Sequence, residues 1–289
     1  MEGAVSKKHT PKPNPWDAFW FAARDARLRD VIRIGYAVLL LVNLATWAPN
    51  LERWFGDAGV LPADAARHIA GVPSLVAYLP VWLCYGLLVA HTVALALGFY
   101  PRVQAACVLL WLAQFSNRNV AIVDGEDIVF KMFAFYLALM PSDRNAPPWP
   151  LRLLQIQIAV IYLSSAIEKS HGHDWTNGHA LYYVSRLDDW FGKLPAPSFV
   201  FDTPIMTYGV LALEWLLPLA LFLPRTRRYA IAVGIAFHLS IEWTMNLFLF
   251  HWIMILGLLS FLEADDLRWL GDKYRRLARR SGRDSNPAG

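Results

Sequence analysis

The run Tyr36-Ala37-Val38-Leu39-Leu40-Leu41-Val42-Asn43-Leu44-Ala45 decides the fold class. It lies within residues 31–48, where Arg33 is the one charged side chain. A helix crossing a bilayer needs about 20 predominantly apolar residues, and a block of this kind has few other uses. Working outward, seven more apolar blocks occur at residues 76–99, 103–123, 128–140, 151–167, 205–223, 229–244 and 247–262, each with at most one Asp, Glu, Lys or Arg. The pattern predicts an all-α fold, a polytopic transmembrane helix bundle of about eight spans. The block at 128–140 is short, so Asp127 and Lys131 are expected at its interface or facing the interior. Only Met245 and Asn246 separate the last two blocks, which leaves a tight hairpin or a re-entrant half-helix open there.

Composition agrees with a membrane solvent. Hydrophobic residues make up 56% of the 289 and charged residues only 17%, against about a quarter charged in soluble domains. Three regions follow: a cytoplasmic N-terminal segment over 1–30, a membrane domain over 31–262, and a basic cytoplasmic tail over 263–289. Within the first, residues 16–30 place Trp16, Phe19, Trp20 and Ala23 on one helical face, which predicts an interfacial amphipathic helix. The first 30 residues contain no apolar h-region, so no cleavable signal peptide is expected. Cys84 and Cys107 sit singly inside apolar blocks, which reads as two small buried side chains.

The net charge of +4 matters through its placement. With the N-terminus on the cytoplasmic side, twenty of the 27 Lys and Arg residues fall on that side, six fall opposite, and Lys131 lies within a span. By the positive-inside rule both termini are expected in the cytoplasm. The basic clusters adjoin apolar spans, so membrane lipids rather than nucleic acid are the expected partner.

Ionisable groups within spans are costly and therefore candidates for function. Span five ends in Ser164-Ser165-Ala166-Ile167-Glu168-Lys169, followed by Ser170-His171-Gly172-His173-Asp174-Trp175. Lys169 either snorkels to water or faces inward, with Tyr162 and Ser165 on its own face, where its amine can act as a base. His171 and His173 lack a third ligand at recognisable spacing, and no metal site is expected. Span seven carries His238 and Glu242 at i and i+4; they read equally as glue between helices or as part of a polar cavity. Glu214 in span six, His91 in span two and the Arg118–Asp127 stretch complete the set.

Three stretches carry a family resemblance. They are Trp54-Phe55-Gly56-Asp57-Ala58-Gly59-Val60-Leu61-Pro62, residues 117–141, and residues 155–178 around Lys169; Phe237-His238-Leu239 joins them. Through these the chain resembles the HTTM superfamily, the horizontally transferred transmembrane domain shared by vitamin K-dependent gamma-carboxylases and many bacterial membrane proteins. The resemblance spans about residues 23–262. It implies that Lys169 is the catalytic base and that it works with a reduced quinone; Glu168, His238 and Glu242, titratable groups at or within spans, are further candidates on their chemistry alone. Where the carboxylases have an Asn-His-x-Tyr motif this chain reads Gly125-Glu126-Asp127-Ile128, which looks more like bacterial HTTM members of the SdpB type. Two functions are therefore expected in the alternative. One is an intramembrane enzyme using Lys169 as base with a lipid quinone. The other is a non-catalytic accessory or maturation protein for a secreted peptide or membrane partner. The implied location is the bacterial inner membrane, crossed several times.

Overall fold

A computed structural model describes residues 14–22, 26–143, 146–147, 149–187, 198–266 and 268. All regular structure among them is helical. The principal helices are α1 (Pro15–Phe21), α2 (Ala26–Trp47), α3 (Val81–Leu97), α4 (Pro101–Arg118), α5 (Gly125–Leu139), α6 (Trp149–His171), α7 (Pro204–Phe222), α8 (Arg227–Thr244) and α9 (Phe250–Leu259). Each predicted apolar block thus forms one helix, α2 to α9. Three helical stretches are long and apolar enough to cross a membrane: Arg27–Phe55, Trp149–His171 and Pro204–Phe222.

Several boundaries differ from the sequence reading, each for a local reason. The amphipathic helix expected over 16–30 is instead α1, ending at Phe21, and a second helix beginning at Ala26; residues 23–25 lie outside the described residues. Helix α4 stops at Arg118 because Asn119 leaves helical geometry and turns its side chain to the Ala121 amide (3.2 Å). Helix α5 begins before residue 128 because Asp124 and Asp127 form a capping box around its first turn. These acidic residues thus serve a helix start. Helix α9 has only ten residues, about 15 Å of rise.

The interior and exterior are distributed as a lipid environment requires. Outward-facing Leu97, Leu110, Ile205, Leu216 and Leu219 are exposed, whereas Arg118, Gln155, Glu214, His238 and His251 are buried. Lipid tails are as apolar as leucine, so helix association rests on close packing and interhelical hydrogen bonds rather than on burying apolar area. Tyr36 stacks on Phe133 (centroids 6.1 Å apart), and Trp47, Phe55 and Phe115 form an aromatic cluster. At the C-terminal end of the described chain, buried Asp266 bonds Arg227 and Arg228, while Arg227 also holds Glu263 (2.7 Å). Burial pushes the Asp266 carboxyl up, but the Glu263 amide and the two arginines outweigh it and hold it below the usual carboxylate range.

Helix α9 is the hub: it contacts α2, α5, α6 and α8. Small residues permit the approach. A Cβ on Gly35 would come within 2.7 Å of Leu256, one on Gly234 within 2.7 Å of Leu258, and one on Gly257 within 2.5 Å of Ile158. Ile158 is fully buried and has little room to yield. Gly257→Val is therefore expected to destabilise the fold by about 1–3 kcal/mol through overpacking, read as a lowered melting temperature in detergent. An unchanged melting temperature would mean that α6 and α9 do not pack this closely.

Candidate functional site

Helix geometry puts Tyr162, Ser165 and Lys169 on one face of α6, since residues three or four apart lie nearly above one another. From there Lys169 Nζ bonds Ser165 Oγ (3.0 Å) and forms an ion pair with Glu214 Oε1 of α7. The ammonium also lies over the Trp175 ring, 4.8 Å from its centroid, which adds a cation–π contact. The short helical turns after α6 bring Trp175, Leu181 and Val184 to the cavity wall.

Two turns back along α6 from Lys169, Tyr162 Oη meets His238 Nε2 of α8 at 2.6 Å, and His238 Nδ1 meets His251 Nδ1 of α9 at 3.0 Å. All three side chains are buried. These polar groups share one cavity of about 290 Å³, whose remaining walls are apolar and include Ile161, Val210, Phe237, Ile241, Phe250 and Met254. Glu214 is 5% exposed, and its second oxygen, Oε2, has no hydrogen-bond partner. A buried acceptor left in that condition costs about 1–3 kcal/mol, more when charged. Such a cost is tolerated where a ligand supplies the missing donor.

The other sequence candidates fall elsewhere. Glu168 is exposed, and Glu242 is half-buried; neither lines the cavity. His238 turns to Tyr162 and His251, so the i,i+4 spacing to Glu242 is not what places it at the cavity. His171 and His173 are exposed, and His91 pairs with Gln104 (2.7 Å) between α3 and α4. Cys84 is buried and Cys107 half-buried, both free thiols. Arg118 donates to the carbonyls of Leu61 (2.7 Å) and Gly56 (2.6 Å), clamping the 56–61 turn. His251 was missed among the sequence candidates, although an ionisable residue within the apolar block 247–262 is the signal that flags one.

Residues 129–266 match the family model described as the HTTM domain. Over this stretch the chain is similar to the HTTM domain. Tyr162, Ser165, Lys169, Glu214, His238 and His251 all lie inside it. The chain is 25% identical to the uncharacterised protein YitO of Bacillus subtilis, over 91% of each chain. It is also 25% identical to the sporulation-delaying protein SdpB of the same organism, over 58% of this chain and 59% of that protein. No solved structure matches. Three helices long and apolar enough to cross a membrane, the outward-facing leucines and the likeness to the HTTM domain together mark a membrane protein.

Proposed function

We propose that the chain is an intramembrane enzyme that moves protons to and from a lipophilic molecule held in the α6–α9 cavity, with Lys169 as its base. The observation that carries this reading is the convergence of ionisable side chains from four helices on one largely apolar cavity, with Glu214 Oε2 lacking a donor there. Ionisable groups in a membrane interior are too costly to converge without use.

A reduced quinone fits these residues. Its flat ring suits walls that include Trp175, Phe237 and Phe250, and its hydroxyl offers the donor that Glu214 Oε2 lacks. When bound, the reduced quinone would supply electrons and an acidic hydroxyl; the chain's residues would orient it, exclude water and hold protons at Lys169 Nζ and Tyr162 Oη. The test is equilibrium dialysis of the purified protein in detergent against menadiol under argon. Saturable binding is expected, weakened about tenfold in Glu214→Gln, the worth of one hydrogen bond to a charged group. Absence of saturable binding, or equal binding by the variant, would sink the reading.

The similarity to SdpB supports a second reading, a non-catalytic accessory or maturation protein for a secreted peptide. A partner recovered stoichiometrically by cross-linking, together with no menadiol binding, would favour it.

The proposed placement is multi-pass in the cell membrane, with α2 to α9 as eight crossings and both termini cytoplasmic. Helix α9 spans about half of the ~30 Å hydrocarbon core. The irregular stretch at 245–249 extends it, a device tolerated at membrane depth where neighbouring protein covers the backbone. Leu249 is buried there. Topology reporters fused at the C-terminus and inserted after Asp174 are expected on opposite sides. The same side for both would overturn the eight-crossing arrangement.

A further inference from the structure

Tyr162, His238 and His251 come from three different helices and are 3%, 3% and 2% exposed. Their two contacts impose a strict accounting of protons. At 3.0 Å between the Nδ1 atoms of His238 and His251, the two nitrogens cannot both carry hydrogen, because the hydrogens would collide. Nor can both lack it, because two lone pairs would face each other without a donor. One proton therefore lies between the rings. A neutral imidazole carries one N–H in all, so its position on one ring decides every other position in the chain.

Two arrangements satisfy the geometry. In the first, the Tyr162 hydroxyl donates to His238 Nε2, His238 donates from Nδ1 to His251 Nδ1, and His251 carries its own proton on Nε2. In the second, His251 donates from Nδ1 to His238 Nδ1, His238 donates from Nε2 to the Tyr162 oxygen, and the tyrosine hydrogen turns away from the histidine. The rings do not move between them; only protons do. Passing from the first to the second, the Tyr162 proton goes to His238 Nε2 and the His238 Nδ1 proton goes to His251 Nδ1. The His251 Nε2 proton is released, and the Tyr162 oxygen takes up another. Charge and proton count are the same before and after.

We propose that Tyr162, His238 and His251 form a proton relay, opening on the cavity at Tyr162 and at His251, that takes a proton from one atom of the bound molecule and returns one to another. All three residues line the same cavity, and the relay as proposed meets one occupant at both of its ends. The occupant is then a lipophilic molecule with an acidic O–H or C–H and a separate basic oxygen, and no outside acid or base is needed to balance the exchange. Lys169 and Glu214 form an ion pair in the same cavity and hydrogen-bond none of these three residues. The inference rests on the reading of the cavity as a place of proton transfer, but its test needs no substrate.

The experiment is nitrogen NMR of the full chain in detergent micelles with ¹⁵N in the histidine rings. In the unaltered protein a scalar coupling between the His238 and His251 Nδ1 nuclei is expected, the signature of a proton shared across an N–H···N bond. Its absence, or two doubly protonated rings at neutral pH, would overturn the relay. Tyr162→Phe removes one end, and the ring-nitrogen shifts of His251, two links away, are expected to move with those of His238. A folded Tyr162→Phe protein in which only His238 responds would mark the tyrosine as a local packing contact. Because none of these readouts involves menadiol, failure of quinone binding leaves the outcome interpretable, and the reverse also holds.

Discussion

Lys169→Met is expected to lower the stability of the protein by about 3–5 kcal/mol, the usual consequence of removing one partner from a buried ion pair. The side chains of Lys169 and Glu214 are 23% and 6% exposed. Without the ammonium, Glu214 is a carboxylate in an apolar cavity with one oxygen lacking a hydrogen bond and the other newly stripped of its partner. The double variant Lys169→Met/Glu214→Leu is expected to recover most of the loss, since replacing a whole buried pair by apolar residues is often neutral or stabilising. Thermal unfolding in detergent, run on the three proteins together, gives the comparison. A single variant as stable as wild type would show that Glu214 does not depend on Lys169 for its charge. The pair also couples any use of the amine as a base to Glu214: the ammonium donates to that carboxylate, so the two residues act as one unit rather than as a base and a bystander.

The second large effect is expected at Arg118, the bulkiest of the fully buried side chains. Its guanidinium serves the carbonyls of Gly56 and Leu61 at once, while Asn119 next to it donates to the Trp54 carbonyl (2.8 Å). Arg118→Met strips two backbone acceptors of their donors, at about 1–3 kcal/mol each. The nearby Asp57 side chain is 77% exposed and adds little. Arg118→Lys is expected to recover only part, because an ammonium is a point charge without the planar fork. The measurement is thermal unfolding together with limited proteolysis, and cleavage is expected to appear first between Gly56 and Leu61. Equal melting temperatures for Arg118→Met and wild type would show that the 56–61 turn holds itself.

Much of this architecture was legible in the residues. Apolar blocks of membrane length are a strong signal, and each became a helix. Helical period alone placed Ser165 and Tyr162 on the face of Lys169, but it left open whether that face turns inward or the lysine snorkels to water. What the period cannot supply is the identity of partners on other helices. Spacing suggested Glu242 for His238, yet Tyr162 and His251 are the residues that meet it, 76 and 13 positions away. The same limit hid Glu214 as the partner of Lys169, 45 positions distant. The helix start at Asp124 was not legible, because a helix start and a charged turn use the same residue types. Glu168 and Glu242 drew attention as charges beside the right neighbours in sequence, and sequence adjacency is a poor guide to which side of a helix a cavity lies on.

Both ends of α9 are held from outside the helix. Glu126, from the first turn of α5, accepts the Leu249 amide (2.8 Å) at its start, and Gln155 of α6 donates to the Ser260 carbonyl (2.6 Å) at its finish. Neither side chain lines the cavity. Together they act as two pins through a short axle. A slip of one residue would carry His251 about 1.5 Å along the axis and about 100° around it, out of register with His238. The tolerance of the histidine pair is thus set by a glutamate and a glutamine that touch neither ring, and a loosened pin at either end would detune the cavity without altering a single residue in its wall.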